Sequence, residues 1–358
     1  MRFIGNKENL LTKIDFELAK RNITGKTFFD FFSGTVSVGR FFKKKGYQVF
    51  SSDLLYFSYC LQQAYIINNS EPQFSKKLSI IDNKSQSLIE FPLEKVLHFL
   101  NNIKPLPGFI YENYSVAGTS NLLQPRMYLS DENAQKIDAI RTQIEEWQLA
   151  DLLTSNEYFI LITCLIESVS FFSNVSGVYA AFQKKWDPRA LKPFVLKSIE
   201  LVYNNQNNQA FNTDSLSLIN GIEVDILYID PPYNERQYAP NYHLLETLAR
   251  YDKPIIHGIT GMRDYSQQKS SFCNKSTALQ DLNKIAKEAM YKYLILSYNS
   301  EGIMKQTDIK TTLGRYGDLE LLEFENLRFK SNNNGESKTK KHIFEQLYIL
   351  RLDKSYAY

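Results

Sequence analysis

Hydrophobic positions near the start of the chain change from a helical to a strand period and back. Residues 9–20 carry Leu and Ile at the spacing of one helix face, which predicts a helix. Residues 27–32 predict a short strand, residues 37–45 a helix, and residues 47–52 a second strand. Strand, helix and strand in this order form a βαβ unit, whose crossover implies a parallel sheet.

The alternation of strands and helices is lost in the middle of the chain and returns later. Between about residues 83 and 208, Pro, Asn, Tyr and Gly interrupt the pattern, and a helix over residues 130–147 with an N-terminal cap is the clear regular element. This predicts an inserted region, residues 83–205, within one α/β domain made of residues 1–82 and 206–358. The fold class that follows is a doubly wound, mostly parallel α/β sheet.

The last third of the chain again has strand and helix signals. Residues 224–229 are six apolar or β-prone residues in a row, as in a central parallel strand that is covered on both faces. Ser276 is the predicted cap of a further helix, and residues 294–297 predict another buried strand. Residues 321–330 and 343–352 predict a hairpin around a polar loop.

Composition excludes several classes of protein. Of 358 residues, 43% are hydrophobic and 23% charged, which is typical of a globular protein and not of a disordered one. Three Cys and four His are scattered, so neither a disulfide framework nor a zinc site is predicted, and a reducing cytoplasm is the expected location. No membrane span is predicted. The net charge of +3 permits DNA as a partner without requiring it.

The strongest chemical signal is the sequence Asp230-Pro231-Pro232-Tyr233 directly after the buried strand. Two prolines fix the backbone, so an acid, a rigid carbonyl and an aromatic ring lie together at a strand's carboxyl end. Such a site suits a flat ring with an exocyclic amine: the carboxylate and carbonyl accept both N–H bonds and localise the nitrogen lone pair, while the ring stacks. A surface turn with an Asp helix cap is the alternative reading.

A second signal lies at the end of the first strand. Residues 30–35 read DFFSGT, a turn that lets backbone approach a ligand, and Asp53 ends the next strand, where an acid can bind ribose hydroxyls. The segment lacks the G-x-G-x-x-G spacing of a dinucleotide site, so a nucleoside without a pyrophosphate fits better. An ordinary βα turn with a solvated Asp is the alternative for this motif alone.

Together these motifs resemble those of the group-alpha, Dam-like DNA adenine-N6 methyltransferases, and most closely those of the modification methylases of type IIS restriction systems. The resemblance is carried by residues 2–7 (RFIGNK), 30–35 (DFFSGT), Asp53, 212–214 (NTD) and 230–233 (DPPY), and it continues through residues 234–261. It covers residues 1 to about 65 and about 205 to 300. One departure is Val36, where the family usually has Gly.

The resemblance implies a seven-stranded, Rossmann-like methyltransferase fold with a largely helical target-recognition insertion. It implies S-adenosylmethionine as cofactor, bound by Phe3, Gly5, Lys7, Asp30, Phe32, Ser33, Gly34, Thr35, Asp53, Asp214 and Asp230. The expected catalytic residues are Asp230, Pro231, Pro232 and Tyr233. The expected DNA-binding residues are Arg126, Tyr128, Arg236, Tyr238 and Asn241, although a buried loop core is an equal interpretation for the first two.

The implied activity is methyl transfer to adenine N6 in double-stranded DNA, with the target base extruded into the pocket. A paired restriction endonuclease is the expected functional partner. Three alternatives stay open: an RNA adenine methyltransferase, a DNA cytosine-N4 methyltransferase, and a non-catalytic DNA-binding subunit that retains the fold. Asp rather than Ser before Pro-Pro-Tyr favours adenine, by resemblance alone.

Overall fold

A computed structural model of the chain describes residues 7–81, 91–327 and 342–353. These residues form two compact units. The sheet unit comprises described residues up to Gln62, Val202–Tyr238, and those from Ser266 onwards. The helical unit comprises the described parts of Gln63–Leu201 together with Ala239–Tyr265.

The helices and strands are numbered along the chain. The α-helices are α1 (Leu11–Lys20), α2 (Ser37–Lys44), α3 (Tyr56–Gln62), α4 (Ser75–Ile81), α5 (Pro92–Asn102), α6 (Phe109–Tyr114), α7 (Asp131–Leu149), α8 (Ser155–Phe172), α9 (Tyr238–Asn241), α10 (His243–Arg250), α11 (Ala278–Glu288) and α12 (Gln306–Leu313). The strands are β1 (Thr27–Asp30), β2 (Gln48–Asp53), β3 (Gln209–Asn212), β4 (Glu223–Ile229), β5 (Met290–Asn299), β6 (Gly317–Leu327) and β7 (His342–Leu352).

The sheet unit is built on one seven-stranded sheet with strand order β3-β2-β1-β4-β5-β7-β6. Pairing is parallel from β3 through β5, whereas β7 runs antiparallel to both of its neighbours, β5 and β6. The strand order reverses between β1 and β4. From β1 the chain continues to β2 and β3 on one side, and it then returns to β4 and β5 on the other side. The predicted doubly wound, mostly parallel seven-stranded sheet is therefore confirmed.

Aromatic and aliphatic side chains hold the sheet unit together. On one side, Phe28 of β1 stacks on Phe42 of α2 with ring centroids 3.9 Å apart. On the other, β4 and β5 contribute Leu227 and Leu294 to a buried cluster that includes Leu282 of α11. Burial of the central strands on both faces explains why β4 has no polar alternation in its sequence.

The helical unit contains the longest helices, and capping defines their starts. Ser130 accepts a hydrogen bond from the backbone of Asn133 and so caps α7, as its sequence predicts. Thr154 and Glu157 form a reciprocal capping box at the start of α8. Helix α8 is apolar around most of its circumference and is buried among its neighbours in this unit.

Most elements predicted from the sequence are present within a few residues of the expected bounds. The strand predicted at residues 294–297 is longer, because β5 spans Met290–Asn299 between two partners. The helix-cap prediction for Ser276 is wrong: α11 begins at Ala278, and the Ser276 hydroxyl instead donates to the side chain of Asn274. The hairpin is formed by β6 and β7, and its polar loop lies outside the described residues.

The two units do not coincide with the predicted boundaries. The helical unit includes residues 63–81 and 239–265, which the sequence places in the scaffold, in addition to residues 91–201 of the predicted insertion. The difference arises because each unit is defined by tertiary contacts between segments far apart in sequence, and local sequence patterns do not show such contacts. The assignment of target recognition to residues 83–205 stays a prediction.

Candidate active site

Three carboxylates lie at the carboxyl ends of three adjacent parallel strands. Asp53 ends β2, Asp30 ends β1 and Asp230 follows β4, and these strands are neighbours in the order β2-β1-β4. The reversal of strand order between β1 and β4 is where open α/β sheets bind ligands. The sheet topology therefore brings together the two motifs that are about 200 residues apart in sequence.

Asp230, whose side chain is 16% exposed, belongs to a group with one buried cation and one buried acid. The Lys7 Nζ lies 3.2 Å from Oδ1 of Asp230 and 2.5 Å from Oε1 of Glu345 on β7. Ser297 of β5 also donates to Oε1 of Glu345, at 2.8 Å. Burial by itself lowers the pKa of Lys7, but the charges of Asp230 and Glu345 outweigh burial and raise it. The lysine is therefore held as an ammonium ion.

The Oδ1 oxygen of Asp230 keeps an acceptor site that no described residue fills. The oxygen is buried and close to Lys7, yet no donor of the described chain is aligned with it for a hydrogen bond. Burial raises the pKa of Asp230 to about 7, with Lys7 opposing and Glu345 adding to the rise. A carboxylate with an open lone pair beside a fixed positive charge suits an N–H donor from a substrate.

The residues after Asp230 form a rigid frame. Pro231 is buried, and Pro232 and Tyr233 are partly exposed. The backbone carbonyl of Tyr233 accepts a hydrogen bond from the N–H of Ile303 at 3.0 Å. Burial raises the pKa of the Tyr233 phenol to about 12, so the ring stays neutral and its hydroxyl interacts with Tyr238. An aromatic face next to a carboxylate is consistent with the predicted stacking on a base.

The turn after β1 uses left-handed backbone at two positions. Gly34 has φ of +49° and Val36 has φ of +63°, and Val36 is fully buried. Glycine adopts this region without cost, whereas a β-branched residue does so with strain. The structure thus gives a backbone reason for the Gly that the family usually has where Val36 stands.

Asp53 is tied to the same turn. Its Oδ2 accepts from the Gly34 N–H at 2.9 Å, and its Oδ1 accepts from the N–H of Leu55 at 2.8 Å. A carboxylate oxygen can accept more than one hydrogen bond, and the resemblance assigns this acid to the ribose hydroxyls. The predicted ribose-binding acid and the predicted cofactor turn are therefore one connected structure.

A buried hydrogen-bond network of hydroxyl and amide groups contacts the turn after β1. Gln62 of α3 donates to the Ser33 hydroxyl at 2.9 Å, and that hydroxyl donates to the carbonyl of Ser52 at 3.1 Å. The Ser52 and Ser215 hydroxyls are 2.8 Å apart, which links β2 to the segment after β3. The Oε1 of Gln62 is buried without a partner among the described residues. Sequence analysis did not identify Gln62, which belongs to no motif.

The remaining predicted cofactor residues have differing surroundings. Asp30 is buried, accepts from the N–H of Gly39 at 3.0 Å, and has a pKa raised to about 7 by burial. Thr35 precedes α2, and Phe32 packs edge-on against Phe272 at 5.2 Å. Asp214 is exposed and caps a short turn after β3, the strand next to β2. Phe3 and Gly5 lie outside the described residues.

These residues fit the sulfonium nucleoside that the resemblance implies. Asp53 lies at the same edge of the sheet as Asp30 and Asp230, whose pKa values of about 7 leave them partly ionised at neutral pH, and this set of acids favours a cationic ligand. The left-handed turn at Gly34 permits close approach of backbone, and the open acceptors of Gln62 and Asp230 are available to polar hydrogens. S-adenosylmethionine carries both a positive sulfur and such hydrogens.

Two of the predicted DNA contacts, both in the helical unit, have buried side chains. Arg126 is only 6% exposed and donates to three backbone carbonyls, those of Asn113, Gly258 and Ile259. Tyr128 is fully buried, with its hydroxyl bonded to the carbonyls of Tyr179 and Thr260. Both side chains are thus hydrogen-bonded inside the unit, as the buried-core interpretation expects, and their contact with DNA stays a prediction. Basic and aromatic residues occur both in buried hydrogen-bonded clusters and on DNA-binding surfaces, so residue type alone could not distinguish the two.

The other predicted DNA contacts differ in accessibility. Arg236 is exposed and Tyr238 is partly exposed, both in the sheet unit and shortly after Tyr233 in sequence. Asn241, in the helical unit, is 9% exposed, and its carbonyl accepts from the Tyr179 N–H. The DNA contacts of Arg236, Tyr238 and the buried Asn241 stay predictions.

Comparison with known proteins places the chain in a family. Residues 3–312 match the family described as D12 class N6 adenine-specific DNA methyltransferase, which is most of the chain. The chain belongs to this family, in agreement with the strand order and with the carboxylates at the strand ends. The family predicted from the sequence motifs is confirmed.

Similar proteins include type II methyltransferase M.FokI from Planomicrobium okeanokoites (38% identity) and modification methylase StsI from Streptococcus sanguinis (36% identity). The matches cover 99% and 98% of this chain but only 53% and 52% of those proteins, so the chain spans about half of their length. Type II methyltransferase M.NlaIII from Neisseria lactamica is 36% identical over 98% of this chain and 99% of its own length.

Two further properties concern only the described part of the chain. None of its helices combines the length and the hydropathy needed to span a lipid bilayer. Its His, Cys, Asp and Glu side chains form no group of three or more that could hold a metal ion.

Proposed function

We propose that this chain transfers a methyl group from S-adenosylmethionine to the N6 amine of adenine in double-stranded DNA. The observation that carries the proposal is the open acceptor on Oδ1 of Asp230, held beside Lys7 at the carboxyl end of β4. Family membership and identity to modification methylases support the same chemistry. Host protection alongside a restriction endonuclease is the biological role that these relatives suggest.

The amine of adenine is a poor nucleophile, because its lone pair is delocalised into the ring. Asp230 accepts one N6–H bond and the Pro231 carbonyl accepts the other, which shifts the lone pair back to nitrogen. Lys7 opposes the rise in the pKa of Asp230 and so favours its ionised form, and Tyr233 stacks on the extruded base. S-adenosylmethionine, when bound, supplies an electrophilic methyl group. The amine nitrogen gains that methyl group as the bond from the methyl carbon to the sulfonium sulfur breaks and its electron pair stays on the sulfur, which becomes a thioether; the nitrogen then loses one proton to solvent.

Cofactor binding is assigned to the turn after β1 and to the acids around it. Asp53 binds the ribose hydroxyls, the backbone near Gly34 approaches the cofactor, and Asp30 and Asp230 add negative charge. Asp214 lies after β3 and is assigned to the nucleoside base. Recognition of the DNA sequence is assigned to residues 83–205, with Arg236 and Tyr238 as contacts from the sheet unit.

The test is to express the chain in a bacterial host that lacks adenine methylation and to map modified bases by single-molecule sequencing. We expect N6-methyladenine at one short sequence motif, its loss in Asp230→Ala, and its retention in Asp308→Ala, a control at an exposed acid on α12. N4-methylcytosine, or methyladenine only in RNA, would contradict the proposed substrate. DNA binding without methylation of any base would indicate a non-catalytic subunit.

A further inference from the structure

Glu345 is a buried acid that neither the motifs nor the proposed reaction uses. It lies on β7, opposite Asn299 of β5 and Phe324 of β6. The side chain of its neighbour Phe344 is 44% exposed, whereas the Glu345 side chain is 8% exposed. An acid placed inward next to an outward Phe is the reverse of what side-chain hydrophobicity favours. The arrangement therefore has to be explained by what Glu345 contacts.

Glu345 contacts the ammonium group of Lys7 and the hydroxyl of Ser297. The Lys7 Nζ is 0.7 Å nearer to Glu345 than to Asp230, at 2.5 Å against 3.2 Å. The Ser297 hydroxyl fixes the same Glu345 oxygen from β5 at 2.8 Å. Lys7 is consequently hydrogen-bonded to Glu345, and it acts on Asp230 as a nearby charge whose hydrogen bond to Oδ1 is not aligned.

Fold stability alone does not account for this arrangement. Lys7 and Asp230 would already form a neutral pair, and a second buried carboxylate leaves the group with a net negative charge. Burying an additional charge is unfavourable unless it is fully compensated. A role in the geometry of Asp230 explains why an acid is present there.

We propose that Glu345 is a positioning residue: it draws the Lys7 ammonium away from Oδ1 of Asp230, so that this oxygen is left free to accept the substrate amine. The inference rests on the proposed function and deepens it. Without Glu345, the Lys7 ammonium would move towards Asp230 and donate a hydrogen bond to Oδ1. That bond would occupy the lone pair that otherwise accepts from the amine. The strand order makes the arrangement possible, because β7 lies beside β5, which in turn lies beside β4.

The effect of Glu345 on the Asp230 titration has a definite sign. Within the described part of the chain, the charged and titratable groups that face this cluster are Lys7, Asp30, Tyr228 and Tyr233, in addition to Asp230 and Glu345. The negative charge of Glu345 raises the pKa of Asp230. Removing that charge should lower the pKa of Asp230 below its value of about 7 and move the acid limb of activity to lower pH.

The test compares Glu345→Gln with Glu320→Gln, which removes a Glu that pairs with Arg21 at an exposed site on β6. Single-turnover methylation should fall by about tenfold to a hundredfold in Glu345→Gln, with its acid limb at lower pH, and should be unchanged in Glu320→Gln. Glu345→Asp keeps the charge but shortens the side chain, so its rate should fall while its acid limb stays closer to that of the parent. Thermal unfolding of each variant identifies losses that come from stability alone.

A measurement that needs no activity separates this inference from the proposed function. Carbon-13 NMR of Asp carboxyl groups in the chain without cofactor follows Asp230 directly, with its signal assigned by its loss in Asp230→Ala. We expect a lower titration midpoint in Glu345→Gln than in the parent, even if the chain methylates nothing. An unchanged Asp230 midpoint together with an unchanged rate would overturn the positioning role. A rate loss that only follows lower stability would also overturn it.

Discussion

The backbone N–H of Gly34 donates to Oδ2 of Asp53 at 2.9 Å and joins the turn after β1 to the end of β2. The two residues are 19 positions apart in sequence. Their hydrogen bond means that a change at Asp53 alters the turn as well as any ligand that Asp53 binds. A test of ribose binding at Asp53 therefore has to separate loss of a ligand contact from loss of turn geometry.

Asp53→Asn is the variant that makes this separation. The amide oxygen can still accept one of the two backbone hydrogen bonds, but the charge is lost. We expect S-adenosylmethionine binding to weaken by about 1.5 to 3 kcal/mol in calorimetry, the range for a hydrogen bond to a charged group. Asp214→Asn, an exposed acid after β3, should weaken binding less. Parental affinity in Asp53→Asn would disprove the ribose assignment.

Asp230→Ala should lower the single-turnover methylation rate by about two orders of magnitude or more, since it removes the acceptor that polarises the amine. DNA affinity should persist, because phosphate contacts elsewhere supply most of it. Measuring both quantities in one preparation distinguishes catalysis from binding. A near-parental rate would contradict the mechanism.

The raised pKa of Asp230 gives two dependences on pH. The reaction requires the ionised carboxylate, so kcat/KM of the parent should fall as the pH drops below about 7. For stability the sign is opposite, because the folded-state pKa lies above the unfolded value and ionisation therefore favours unfolding. At pH 8, Asp230→Ala should unfold at a temperature no lower than the parent does. A clear loss of stability at pH 8 would argue against the raised pKa.

Tyr233 has a ring and a hydroxyl whose roles can be tested separately. Tyr233→Ala should weaken capture of the extruded base, since a stacking surface contributes roughly 1 to 3 kcal/mol per base. Tyr233→Phe keeps the ring and loses the interaction with Tyr238, so much of the activity should remain. Fluorescence of 2-aminopurine at the target position reports base extrusion. An inactive Tyr233→Phe would show that the hydroxyl is essential.

Substitutions at Val36 measure how much free energy of unfolding is lost when a buried β-branched residue has left-handed backbone. At most positions Gly is less stable than Ala, but at φ of +63° the order should reverse. Val36→Gly should therefore exceed Val36→Ala in free energy of unfolding, by about 1 kcal/mol. Urea denaturation of the two variants measures the difference, and the opposite order would exclude backbone strain. We also expect Val36→Gly to bind S-adenosylmethionine more tightly than the parent.

Arg126 should behave as a structural residue. Arg126→Ala leaves three carbonyls without their donor, so the free energy of unfolding should fall by about 1 to 3 kcal/mol. Discrimination between cognate and mismatched DNA sites should be retained at temperatures where the variant is folded. Binding to both kinds of site by fluorescence anisotropy is the measurement. A selective loss at the cognate site would restore Arg126 as a base contact.

The sequence alone determined the βαβ start, the central strand β4 and the acids that follow them. These features are local: apolar runs define strands, and acids directly after parallel strands must lie at one edge of a sheet. The sequence therefore predicts that Asp30, Asp53 and Asp230 lie at the same edge of the sheet. Phe3 and Gly5 come only from the resemblance to the family, lie outside the described residues and stay predictions.

Only the tertiary structure decided what surrounds those acids. Glu345 reaches Lys7 because β7 inserts between β5 and β6, and no local pattern specifies that pairing. Gln62 and Arg126 are likewise defined by partners distant in sequence, and the same side chains would serve equally well on a surface. A polar side chain in a sequence carries its chemistry, but its role depends on burial and on its partners, which only the folded chain provides.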